Sequence, residues 1–235
     1  MKHCWIFRFA AVVVFLSSVF AMQLYSQSVS SESTLEKKLR DYGLTDVSAL
    51  DSTIQVRLMY ARPDNFTGVL LYTDGLNKAY LQPQAAAAVV RAQAELRRLA
   101  PGFNLLIKDA ARPMSVQRRM FRAVSGTPKA NYVANPAKGG GLHNYGLAVD
   151  ITIVDPAGNE ISMGTPVDHL GREANIDAEE SLVSRGIISE TERQNRLLLR
   201  RVMTAAGFHT IRTEWWHFDF INKAQARASY RRLDF

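Results

Sequence analysis

The chain of 235 residues has a single cysteine, Cys4, so no disulfide can form within it and no site can be built on two or more thiolates. It has no apolar run approaching the ~20 residues needed to cross a bilayer. The apolar stretch near the N-terminus, residues 9–21, falls well short of that. Internal repeats and recognisable nucleic-acid modules are also lacking, and the arginines are dispersed along amphipathic stretches. The formal charge of +7 therefore fits solvated helix faces better than a nucleic-acid surface.

What is present begins with a basic segment carrying Lys2 and Arg8, followed by the apolar stretch and a small-x-small exit at Val19-Phe20-Ala21. This pattern is that of a secretory signal cleaved after Ala21, so the chain is expected to be exported to the periplasm or secreted. Loss of residues 1–21 would remove Cys4, leaving His, Asp and Glu as the metal ligands of the mature chain. Residues 22–34, rich in Ser and Gln, read as a linker, and residues 35–235 as one catalytic domain.

Within that domain, residues 53–60 alternate as a strand does. Pro83 at a first turn and Gly102 just past the end bound a helix over residues 83–100. Residues 103–109 read as a buried strand, 114–124 as a helix, 147–154 as a strand and 213–221 as another. Ser189 and Glu192 form a capping box for a helix reaching about Ala206. Residues 125–142, ending in three glycines, read as a loop that feeds His143, and residues 155–188 as a long loop with little regular structure.

The densest chemistry lies in His143-x6-Asp150 and Glu214-x-x-His217. Two imidazoles and one carboxylate are a three-ligand set that leaves a fourth position on tetrahedral zinc open for water, as catalytic sites require. Glu214 is placed in sequence to act as the general base. Asp150 stands mid-strand among apolar residues, where a carboxylate must be paired, metal-bound or protonated. The spacings carry a demand of their own. His143 and Asp150 differ by seven and Glu214 and His217 by three, so continuous strands would point each pair to opposite faces. A turn at Gly146 and an irregularity near residues 214–217 are therefore required. Arg112, between a strand end and Pro113, suits either an oxyanion-stabilising role or a surface ion pair. Asp168 suits either a substrate ammonium or an ordinary turn.

Several segments, in order, resemble the VanX-type D-alanyl-D-alanine dipeptidases among the zinc D,D-peptidases. They are Tyr60-Ala61-x-x-Asp64-Asn65-Phe66-Thr67-Gly68, Asp109-x-x-Arg112-Pro113, His143-x-x-Gly146-x-Ala148-Val149-Asp150, Met163-Gly164-x-x-x-Asp168, Gln194-Asn195-Arg196 and Glu214-Trp215-Trp216-His217. The resemblance implies an α+β fold with a central antiparallel sheet flanked by helices, and one Zn2+ held by His143, Asp150 and His217. It further implies Glu214 as base, Arg112 on the transition state, Asp168 on the substrate's amino end and Tyr60 nearby. The expected substrate is a small D-amino-acid dipeptide; the alternative is a stem peptide of the cell wall, trimmed by a D,D-carboxypeptidase. Gly141 stands where the family carries a serine two residues before the first zinc histidine.

Overall fold

The computed structural model describes residues 32–235. The expected signal, residues 1–21, and most of the expected linker lie outside that range. Ser33 caps a helix that starts at Thr34, its hydroxyl accepting from the Glu36 amide at 3.0 Å.

In chain order the strands are β1 (Thr45–Asp46), β2 (Gln55–Val56), β3 (Tyr80–Leu81), β4 (Asn104–Asp109), β5 (Ala148–Val154), β6 (His209–Ile211) and β7 (Glu214–Asp219). The α-helices are α1 (Thr34–Asp41), α2 (Val47–Leu50), α3 (Pro83–Leu99), α4 (Met114–Val124), α5 (Glu179–Ser184), α6 (Glu190–Ala205) and α7 (Lys223–Ser229). β1 and β3 form a small antiparallel pair, and the main sheet runs β2-β4-β5-β7-β6. Its strands pair antiparallel except β2 with β4, which are parallel. The α+β class holds, and the sheet is mixed at one edge. The chain between β2 and β4 includes α3, and a crossover through a helix returns a strand in the same direction as the one it left.

One face of the sheet is dry. Ile107, Val149, Ile151, Ile153, Trp216 and Phe218 pack with Val89, Ala92 and Leu96 of α3 and Leu199, Val202 and Met203 of α6. Helix α3 presents Ala85, Ala86, Ala88 and Ala92 to this core, small side chains that let a helix lie close to a sheet. Helix α6 begins at the expected capping box: the Ser189 hydroxyl accepts from the Glu192 amide and the Glu192 carboxylate accepts from the Ser189 amide.

The strand expected over residues 53–60 shrinks to β2, because Met59–Ala61 turns into a 3-10 helix that buries Tyr60. The stretch 155–188 is mostly irregular, as expected, with a 3-10 turn at Arg172–Ala174 and the short α5.

Candidate metal centre

The opposite face of the sheet carries a row of polar side chains that crosses three strands. Asp109 of β4 pairs with Asp150 of β5, and Asp150 pairs with His217 of β7, so the three lie side by side across adjacent strands. Period-two alternation alone would not produce this row. Ile107 faces the core, so an undisturbed β4 would send Asp109 to the core as well. A register shift between Ile107 and Asp109 puts Asp109 opposite Asp150. At the other side, a shift between the pairs Thr210–Phe218 and Ile211–Glu214 brings Glu214 to the same side as His217. Glu214 Oε2 then lies 4.0 Å from His217 Nδ1. The irregularity that the Glu214 to His217 spacing demands is this one.

His143 arrives from outside the strands, on a 3-10 turn at Leu142–Tyr145 that ends at Gly146 in the left-handed region, φ 68°. A Cβ at Gly146 would sit 2.8 Å from Leu44 Cδ2 and 3.3 Å from the Gln82 backbone nitrogen. Gly146→Ala combines a left-handed backbone with that crowding, and is expected to cost about 1–3 kcal/mol. It should also displace His143. Thermal unfolding and zinc stoichiometry read the two effects separately, and an unchanged melting temperature would refute the argument.

The candidate ligand atoms form a compact triangle. His143 Nε2 lies 3.3 Å from His217 Nδ1 and 3.4 Å from Asp150 Oδ1, and His217 Nδ1 lies 2.9 Å from Asp150 Oδ1. Tetrahedral zinc with bonds of about 2.0–2.1 Å needs ligand atoms roughly 3.3 Å apart, so the donor set fits the ion. Among the described residues, these three form the group with metal-ligand character. The remaining ring nitrogens are also committed. His143 Nδ1–H donates to the Ala110 carbonyl at 2.7 Å, which leaves Nε2 with its lone pair toward the triangle. His217 Nε2 lies 2.8 Å from Asp219 Oδ1, so that carboxylate fixes the ring and frees Nδ1 as the donor.

Electrostatics agree that this is a place for a cation. Burial alone would lower the pKa of His217, but its hydrogen bonds to Asp150 and Asp219 raise it well above the usual histidine value. Burial favours a neutral Asp150, yet His143 and His217 hold its carboxyl far below the usual range. Glu214 is raised, chiefly by burial, a shift toward the neutral range in which a general base works best.

Arg112 is buried rather than on the surface, so its ion pair is an internal one. Nε and Nη2 donate to Asp109 Oδ2 at 3.0 and 2.5 Å, and Nη1 donates to Gln117 Oε1 at 3.1 Å and to Met120 Sδ at 3.2 Å. A guanidinium has five N–H donors, so these four bonds leave one Nη2 hydrogen. That nitrogen lies 3.9 Å from Asp150 Oδ2, at the edge of the ligand triangle. The ring of Tyr60 lies 4.9 Å from the guanidinium carbon.

Tyr60 and Asp168, distant in sequence, meet here: the phenol donates to Asp168 Oδ2 at 2.8 Å. Asp168 has φ 65°, and among the described residues no other non-glycine has a positive φ. Strain of this kind persists only where the surroundings enforce it. Its loop is held from beneath by the buried Arg196, which donates to the carbonyls of Met163 and Glu173 and to the Thr165 hydroxyl. Burial first, and then Asp150, raise the Asp168 pKa well above the usual carboxylate value. All seven residues expected at the site line one cavity of about 420 Å³.

Three contributors were not anticipated from sequence. Asp219 had a legible signal, since an acid two residues after a candidate ligand histidine shares its face of a strand. Gln117 and Asn144 had none. Asn144 Nδ2 donates to the Arg112 carbonyl at 2.6 Å, and Gln117 is reached only through the α4 packing.

A protein-family model described as the D-Ala-D-Ala dipeptidases of peptidase family M15 matches residues 40–233. The chain belongs to this family. It is a metallopeptidase of a zinc-dependent group, and its His143, Asp150 and His217 fit a metal site. A D-alanyl-D-alanine dipeptidase of Escherichia coli K12 is 31% identical over 176 residues, covering 75% of this chain and 83% of the relative. Proteins of the same name from Enterococcus faecalis and Streptomyces coelicolor are 28% and 30% identical, covering 70% and 73% of this chain and 84% and 88% of theirs.

Proposed function

We propose that this M15 peptidase hydrolyses D-alanyl-D-alanine, or a closely related D-amino-acid dipeptide, after export from the cytoplasm, with one zinc ion per chain. The observation that carries the reading is the pairing of Asp168 with Tyr60 in the cavity that the ligand triangle also lines. A half-buried carboxylate that binds one phenol and is driven toward neutrality is relieved by an ammonium group. The free amine of a dipeptide supplies one.

His143, Asp150 and His217 would hold the zinc, which when bound supplies Lewis-acid polarisation of the scissile carbonyl and a lowered pKa for water. Glu214 accepts the proton of the attacking water and passes it to the leaving amine. The remaining Nη2 hydrogen of Arg112 donates to the oxygen on which negative charge develops. Asp109 and Gln117 hold that guanidinium still, so it needs no rearrangement as charge builds. Asp219 keeps the His217 ring oriented.

A panel of D-Ala-D-Ala, its N-acetyl form and a stem pentapeptide, each with zinc and with chelator, tests the reading. Chelation is expected to abolish turnover and added zinc to restore it, and N-acetylation should lower kcat/KM by about 10²-fold or more, the value of a buried charged pair. Faster release of D-Ala from the pentapeptide than from the dipeptide would replace this reading with a D,D-carboxypeptidase. N-terminal sequencing of the exported protein tests removal of residues 1–21; an intact Met1 would reject it. Among the described residues, no helix is long and apolar enough to cross a membrane.

A further inference from the structure

A zwitterionic dipeptide presents a carboxylate as well as an amine. Two residues lining the cavity, Arg112 and Lys223, carry a fixed positive charge. Arg112 is committed: four of its five donors are taken by Asp109, Gln117 and Met120, and the fifth faces the reacting centre. Lys223 is not. It is the first residue of α7, four positions after Asp219, and its Nζ donates to the Gly140 carbonyl at 2.6 Å. No carboxylate of the described residues lies within 4 Å of it. An ammonium has three donors, so two remain, on a group tethered at the wall of the cavity by a backbone oxygen.

The cavity's acids divide in the same way. Asp150 belongs to the ligand triangle, Asp219 to His217 Nε2, and Glu214 stands beside His217 Nδ1. That leaves Asp168, which is anchored to Tyr60, whereas Lys223 is anchored to Gly140. One uncommitted anion and one uncommitted cation therefore enter the cavity from different elements, the 163–170 loop and the start of α7, with the ligand triangle sharing the same space.

We infer that Lys223 binds the C-terminal carboxylate of the substrate and so restricts cleavage to peptide bonds next to a free carboxyl end. The inference rests on the dipeptidase reading and adds the second end of the substrate to it. Lys223 is exposed and lies at a helix start, outside the core and outside the ligand triangle.

The test compares the parent, Lys223→Met and Lys223→Arg on D-Ala-D-Ala and on D-Ala-D-alaninamide, whose terminal carboxylate is capped. A lost charge-assisted bond is expected to raise KM for the acid by about 10- to 100-fold with kcat little changed. KM for the amide should not respond to Lys223→Met, and Lys223→Arg should restore most of the affinity for the acid. Equal changes on acid and amide, or no change on either, would overturn the assignment. A parent enzyme that cleaves neither compound would instead remove the dipeptidase reading itself.

Discussion

Glu214→Gln is expected to lower kcat by about 10²- to 10⁴-fold, the usual contribution of a positioned general base, while the purified protein keeps its zinc. Both halves follow from where Glu214 sits. It is the first residue of β7, turned to the His217 side by the register shift beside it, with Oε2 4.0 Å from His217 Nδ1. It stands next to the ligand triangle without belonging to it. The amide of Gln matches the carboxylate in size and cannot take a proton, so chemistry is lost and packing is not. Burial already raises the carboxyl pKa, and an amide removes the cost of burying charge, so the melting temperature should stay level or rise. Zinc content by elemental analysis and kcat from a D-Ala release assay settle it together. Retained turnover would strip Glu214 of its role, and lost zinc would make it a ligand.

The elements most legible in the sequence are those governed by local rules. Pro83 and the alanine-rich run specify α3, Ser189 and Glu192 specify the start of α6, and the apolar run before Asp155 specifies β5. The candidate ligand residues could be read from the combined pattern of His143-x6-Asp150 with Glu214-x-x-His217 and from the resemblance it carries, and Asp150 also because an acid amid an apolar strand is costly without a partner. Their spacings also announced that the chain must deviate at Gly146 and near Glu214, and it does so at both. The deviation in β4 was not announced. Lys108 is unremarkable in sequence, and only the pairing with β5 reveals that the strand slips there. Non-local partners were equally hidden: Tyr72 reaches Asp109 across 37 positions, and Arg196 reaches the loop of Asp168 through backbone carbonyls, which carry no side-chain signature. The parallel direction of edge strand β2 was hidden because a two-residue strand takes its direction from the crossover, not from its own residues.

Asp109→Ala is expected to destabilise the protein by about 3–5 kcal/mol, the cost of leaving a buried charge without its partner. For a domain of this size that corresponds to a drop of roughly 6–20 °C in melting temperature. Asp109 is fully buried, and its two oxygens accept from the Tyr72 phenol at 2.6 Å and from both Nε and Nη2 of Arg112. Removing it strands a guanidinium that is itself almost entirely buried and leaves a phenol without its acceptor. The freed cation has Asp150 as its nearest remaining acid, 3.9 Å from Nη2. A shift of the guanidinium in that direction would draw it onto a candidate zinc ligand and weaken the site. The register shift in β4 therefore does more than complete a row of acids: it supplies Arg112 with an anion other than Asp150. Asp109→Asn separates the two consequences. Its amide keeps one acceptor and most of the shape, so stability should recover in part, while a neutral partner holds the guanidinium less firmly and zinc affinity should stay below that of the parent. Differential scanning calorimetry and zinc competition titrations measure these independently. A variant Asp109→Ala with parental zinc affinity would show that Arg112 stays in place without its anion.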